Sequence, residues 1–174
     1  MIGPYPPPYG GIANVVRNLS AEKTLCQRYN IQIYRTGKTI ESTPFPIQAI
    51  KDVFQIIKYP LTITHKDIDI IHIHTASYWS FLRNVPYIMI SRVLCKAKIL
   101  VHIHGGEFYD FFHNASTPMK NIIKKTLTSG NHIFVTAPSL IPLIEKIIGK
   151  TFSISSIPNG FNEQKFFVSS QEKA

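Results

Sequence analysis

No long hydrophobic run occurs anywhere in this 174-residue chain. The longest apolar stretches, around Pro86–Leu94 and Ile99–Ile103, are short or broken by Arg92, Lys96 and Lys98, whereas a membrane-spanning helix needs about 20 apolar residues. A basic region followed by an apolar one is also missing from the first residues, so no secretory leader is expected. Cysteine is scarce: Cys26 and Cys95 are the only two. They exclude a multi-bridge disulfide framework and show no metal-type spacing, which leaves structural thiols in a reducing cytoplasm as the expectation. Acidic side chains are few as well, 10 against 19 basic ones, for a net charge of +9. Such a surplus serves solubility, or attraction to nucleotide phosphates, lipid phosphate or an anionic membrane face. Nucleic acid is not an expected partner, because neither an RNA-binding aromatic motif nor zinc-finger spacing is present. With 44% hydrophobic and 17% charged residues, the composition is globular and suits one domain with a sizeable core.

What is present begins at once. Gly3-Pro4-Tyr5-Pro6-Pro7-Pro8-Tyr9-Gly10-Gly11 runs directly into Ile12-Ala13-Asn14-Val15-Val16-Arg17-Asn18-Leu19. Prolines cannot continue a helix, and the glycine pair allows close backbone approach. The helix that follows presents free N–H groups and its positive dipole end above Gly10 and Gly11, which suits a phosphate. Downstream, short β-type runs alternate with helical ones. Strands are expected at 30–35, 69–74, 98–104, 132–136 and 152–157. Helices are expected at 47–59, 78–95 (with Pro86 starting, kinking or splitting it), 117–129 (capped by Thr117, ended by Gly130) and 139–148 (capped by Ser139, stopped by Gly149). Strands separated by helices imply βαβ units and a parallel sheet, and the nearly continuous apolar runs in two strands fit a sheet covered on both faces. Only Met1 and Ile2 precede Gly3, so most of the strand that would hold the glycine loop is expected to be missing.

Ligands of open parallel sheets bind beyond the carboxyl ends of the strands. Three features fall at that edge: Gly10 with Gly11, His74 with Thr75, and His104 with Gly105 and Gly106. His72 and His74 share one strand face, as do His102 and His104. One reading is a zinc site from the two His-x-His pairs, completed by Glu107 or Asp110. The other buries His72 and His102 in the core and lets only the last histidine of each pair reach the cleft; it is preferred because neither pair has a third ligand at characteristic spacing. His104 beside two glycines can donate a hydrogen bond to a substrate hydroxyl or phosphate, while Glu107 and Asp110 can bind sugar hydroxyls or cap a helix. Tyr78, Trp79 and Phe81 either stack on a sugar or lipid or belong to the core. Lys120, Lys124 and Lys125 form a solvated basic face or a docking face for anionic lipid.

Taken in order, Gly3-Pro4…Gly10-Gly11-Ile12, Asp69–His74, His102–Phe108 and Ile157-Pro158-Asn159-Gly160-Phe161-Asn162 resemble the N-terminal domain of GT-B-fold glycosyltransferases of family 4. The resemblance implies a Rossmann-like α/β domain with helices on both faces that mainly binds the acceptor. It implies that Gly10 and Gly11 approach the donor's diphosphate and that His104 lies near the transferred sugar; the residues' own placement at the sheet edge adds His74, Gly105, Gly106 and Glu107 as substrate-binding candidates. It also implies a retaining transfer from a nucleotide sugar to a polysaccharide or glycolipid acceptor, with no resident cofactor and no metal, at the cytoplasmic membrane face. On this resemblance residues 1–165 are the acceptor-side domain and 166–174 a tail at the interdomain crossing. The donor-binding domain is expected to be absent, to be supplied by a separate chain if at all, and the chain alone to be inactive. Asn162 stands where the family usually has Asp. Two alternatives remain open: a non-catalytic or split-enzyme binding module for a lipid-linked sugar, and a metal-dependent hydrolase built on the strand histidines.

Overall fold

A computed structural model gives the architecture and describes residues 1–40, 42–64 and 67–159. Six strands form one all-parallel sheet in the order β2-β1-β3-β4-β5-β6. They are β1 (Ile2–Gly3), β2 (Tyr34–Arg35), β3 (Ile70–Thr75), β4 (Lys98–Ile103), β5 (His132–Val135) and β6 (Ile154–Ser156). Seven α-helices accompany them among the described residues: α1 (Gly11–Ser20), α2 (Lys23–Arg28), α3 (Phe45–Thr64), α4 (Trp79–Leu94), α5 (Phe108–His113), α6 (Thr117–Ser129) and α7 (Ile141–Ile148). This is the Rossmann-like α/β arrangement that the alternating pattern implies.

The strand order determines which face each helix covers. The β1–β2 connection runs one way along the sheet and every later connection runs the other way. Right-handed crossovers therefore put α1 and α2 on one face, and α3 to α7 on the opposite face. The second layer is continuous, since α3 packs on α4, α4 on α6, and α6 on α7. The pleat then divides the strand residues. Ile71, Ile73, Ile99, Val101, Ile103, Ile133 and Val135 are buried on the face toward α3–α7. His72, His74, Leu100, His102, His132 and Phe134 alternate with them and share the other face, in register across β3, β4 and β5.

Several expectations need correction. Residues 30–33 are not strand, because β1 offers only Ile2 and Gly3 to pair with. Short as it is, β1 sits between β2 and β3 with Ile2 buried, so the glycine loop does have a support. Pro86 neither starts nor splits α4, which runs through it with Phe81, Tyr87 and Ile88 buried on either side. Ser116, not Thr117, holds the cap position of α6, without a side-chain cap hydrogen bond, and a 3-10 turn over Pro138–Leu140 precedes α7 where a cap at Ser139 is expected. Glu22 caps α2 by accepting a hydrogen bond from Leu25 N at 2.8 Å. Cys26 lies exposed on that helix rather than structurally buried. Gly160, Phe161 and Asn162, the domain boundary near 165 and the tail lie outside the described residues.

Candidate functional site

Because β1 connects to β2 on one side and the chain returns to β3 on the other, the strand order reverses between β1 and β3. A crevice at the carboxyl ends of these strands is where such sheets hold ligands. Three segments leave the sheet here: the proline–glycine loop after β1, the Ala76–Tyr78 link after β3, and the His104–Glu107 turn after β4.

The glycine loop is anchored from both sides. Arg35, at the end of β2, donates to the Pro7 carbonyl, and the Arg17 guanidinium lies over the Tyr9 ring, 5.6 Å from its centroid. Gly10 takes the extended cap position of α1, and its carbonyl accepts from Asn14 N at 2.9 Å. No atom lies within 4 Å of where a Cβ would stand on Gly10, Gly11, Gly105 or Gly106, so the backbone at all four borders open space. Gly105 adopts φ +97°, a conformation that disfavours any other residue. Gly106 and Glu107 are exposed beside it, and the Glu107 side chain makes no hydrogen bond or ion pair among the described residues.

Below this rim stands a ladder of imidazoles. His74 Nδ1 and His104 Nε2 are 3.0 Å apart and hydrogen-bonded. The His102 and His104 rings stack with centroids at 4.1 Å, and His72 and His74 lie at 4.2 Å. A Cβ on Gly3 would come within 3.2 Å of both His74 Cβ and Val16 of α1. The structure thus joins the end of β1, His74 and His104 into one contact chain. The carbonyl of His74 accepts from Asn84 Nδ2 at 3.1 Å, which ties the strand end to α4.

Burial is the leading cause of the electrostatics. It lowers the pKa of His72 to about 4, of His102 to about 3 and of His104 to about 4, and it lowers His74 too. Neighbouring imidazoles reinforce the effect at His72, His74 and His102, whereas hydrogen bonding by the Asn159 side chain opposes it at His104. All four rings are therefore neutral at pH 7. Nε2 of His72 and His74, both ring nitrogens of His102 and Nδ1 of His104 have no well-formed hydrogen bond among the described residues.

These orphaned nitrogens raise the question of a metal. Ligand atoms of His72, His74 and His102 lie within 4.8 Å of one another, which supplies the third histidine that sequence spacing does not reveal. A tetrahedral zinc ion with ring nitrogens at about 2.0–2.1 Å requires those nitrogens about 3.4 Å apart. The planes of His72 and His102 are only 2° from parallel, so the rings would have to turn to converge on one ion. Glu107 and Asp110, offered as further ligands, are exposed at the rim and not part of the cluster.

Arg35 escapes sequence reasoning, and two residues that the sequence does single out take places it does not give. Tyr78 sits at the rim with φ +53°, a strained position for a non-glycine residue, and its ring meets Phe111 at 5.0 Å. Arg35 reaches the proline loop from β2. Asn159, part of the Ile157–Asn162 motif, stands by His104. No local pattern signals Arg35 or the backbone strain at Tyr78; the position of Arg35 follows from the strand order. The Tyr78–Phe81 aromatics divide: Phe81 is core, while Tyr78 and Trp79 are exposed. Lys120 and Lys124 of α6 lie over the Phe112 ring.

A second concavity, a groove of about 540 Å³, opens at the opposite end of the strands, lined by Met1, Gln32, Tyr59, Asp69, His72 and Leu100 among others. It lacks the glycine backbone and the turn that mark the upper edge. The sequence profile of the family described as glycosyl transferase 4-like matches residues 15–137, more than half of the chain. That span includes His74 and His104–Glu107 and stops short of Gly10, Gly11 and Asn159. No curated protein matches the chain.

Proposed function

The chain belongs to the glycosyl transferase 4-like family, and from that membership we propose that it is the acceptor-side half of a transferase that uses a nucleotide-sugar donor. The acceptor is a growing polysaccharide or a glycolipid. The observation that carries this reading is the contact chain from β1 through His74 to His104, beneath two glycine segments that border open space at the switch point.

In the reaction, the bond from the donor's anomeric carbon to its diphosphate breaks, an acceptor hydroxyl oxygen takes that carbon with retention of configuration while its proton passes to the departing diphosphate oxygen, and the nucleoside diphosphate leaves. Free N–H groups at the start of α1, above Gly10 and Gly11, stabilise the charge that develops on the diphosphate. His104 positions the transferred sugar. With His74 Nδ1–H donating to His104 Nε2, the neutral His104 carries its own proton on Nδ1, a buried atom beside the Asn159 side chain, and offers it to a sugar hydroxyl once Asn159 moves aside. Gly105 and Gly106 leave room for that sugar, and Glu107 accepts from sugar or acceptor hydroxyls. No step requires a resident cofactor or a metal. The nucleoside must be held by a second domain, on the same polypeptide or another, so the described half transfers nothing by itself.

Transfer of labelled sugar from a nucleotide-sugar panel tests this, with the chain alone and with a donor-binding half of the family fused or added. The expected result is turnover only with the added half, and a loss of 10²-fold or more in His104→Ala. Robust transfer by the described half alone overturns the half-site reading; full activity of the complemented His104→Ala overturns the role of His104. Binding of a lipid-linked sugar without transfer under any complementation favours the non-catalytic module instead.

A further inference from the structure

The helix α3 carries an apolar stripe on its outer side as well as a packed inner one. Its inward face carries Gln48, Asp52, Tyr59 and Ile63, all buried. Gln48 Nε2 donates to Asp52 Oδ1 at 2.8 Å, and Tyr34 OH donates to the Gln55 carbonyl at 2.6 Å. Its outward face carries Ile47, Ile50, Val53, Phe54, Ile57 and Leu61, all exposed, with Ile57 64% and Leu61 67% accessible. At 100° per residue these six span about 120° of the helix surface. Lys51 and Lys58 follow along one edge of the stripe, where long basic side chains can keep their charges in water above a buried apolar surface. The outward face has no acidic group, since the helix's only one, Asp52, is buried. The stripe runs about 21 Å along the helix from Ile47 to Leu61, larger than the scattered apolar residues of an ordinary surface.

We infer that α3 lies in the surface of an anionic bilayer with this stripe immersed in the acyl boundary. An apolar arc edged by lysines, on a chain of net charge +9, is the chemistry of an interfacial helix. Among the described residues no helix is long and apolar enough to cross a membrane, so α3 lies on it. A second copy of the chain would meet the same lysines with like charge. The helix also has a direction. It leaves the carboxyl end of β2 and leads to the start of β3, so Phe45 stands at the same sheet edge as His104. There Phe45 packs on Trp79 of α4 with ring centroids at 5.2 Å. Docking through α3 brings the rim of the cleft down to the lipid surface, where a lipid-borne acceptor enters. In that last step the inference rests on the proposed acceptor; the docking itself does not. It assigns docking to α3, away from the lysines of α6.

Trp79, the single tryptophan, reports on the event. The test is flotation with vesicles of phosphatidylcholine alone or with phosphatidylglycerol, alongside tryptophan emission and light scattering. Wild type is expected to float with the anionic vesicles and to shift its emission to the blue. Phe54→Glu and Ile57→Glu are expected to reduce binding at least tenfold with unchanged melting, since both positions are exposed. Lys51→Glu with Lys58→Glu is expected to cut binding to anionic vesicles several-fold, and Lys120→Glu with Lys124→Glu less than twofold. His104→Ala is expected to float like wild type, which separates this result from the fate of the transfer reading. Wild-type protein that ignores anionic vesicles, or Phe54→Glu and Ile57→Glu that bind as wild type, overturns the inference. So does a dimer that Phe54→Glu dissolves while vesicles go unbound; the partner is then a second copy.

Discussion

The two faces of one sheet carry opposite chemistry on the same strands. Toward α3–α7, β3, β4 and β5 present isoleucine and valine, fully covered by helices. On the face of α1 and α2, the alternate positions present four imidazoles, a leucine and a phenylalanine. The first face gains stability by removing aliphatic surface from water. The second gives some back, because ring nitrogens on His72, His74, His102 and His104 are buried without well-formed partners. What the comparison teaches is where selection for folding ends. The aliphatic face is sufficient to hold the sheet, so the other face is free to hold polar groups under the crevice where β1 and β3 diverge.

Breaking the aliphatic face should have the largest effect. Val101→Asp buries a charge among Ile73, Ile99 and Ile133 with no partner, at a cost of more than about 4–5 kcal/mol, and should leave the chain unfolded by circular dichroism. Acid should attack the other face. The lowered pKa values of His72, His102 and His104 mean that the unfolded chain takes up protons first as pH falls. Stability is then full above about pH 6.5 and falls between about 6.5 and 4, by up to about 1.4 kcal/mol per pH unit for each ring held neutral. Denaturant titrations across that range should show the slope. A smaller cost belongs to the rim: Gly105→Ala, at φ +97°, should lose about 1–2 kcal/mol from backbone strain, although its Cβ meets nothing. Gly106→Ala should lose less, since its Cβ is equally free and its φ is ordinary. The smallest effect should have the opposite sign. His102→Leu removes two unpartnered nitrogens and should be neutral or stabilising by about 1 kcal/mol, while flattening the acid slope. A large loss of stability in His102→Leu would mean that the imidazole face is structural after all.

The sequence made the fold legible where local signals agree. Apolar strands, helices bounded by Gly130 and Gly149, and the His-Gly turn all stand at or within a few residues of their expected positions. It misled where a partner decides the outcome. Residues 30–33 have strand composition, yet β1 is too short to pair with them. Pro86 breaks a helix by its own chemistry, yet packing carries α4 through it. The histidine pairs were legible as pairs, but not the contact between them, because the register of β3 against β4 is a property of the sheet. The outward apolar stripe of α3 was hidden for a different reason. Its apolar period was plain in the sequence, and periodicity reports that a stripe exists without saying which way it faces.

The central claim is that substrate binds at the carboxyl edge of the sheet between β1, β3 and β4, and not in the groove at the opposite end. Amide chemical shifts during titration with UDP, GDP and a short sugar acceptor test it most directly. The account predicts that the perturbed resonances are those of Gly10, Gly11, His104, Gly105, Gly106 and Glu107. Perturbations centred instead on Gln32, Asp69 and Leu100, with the glycine segments silent, would contradict it.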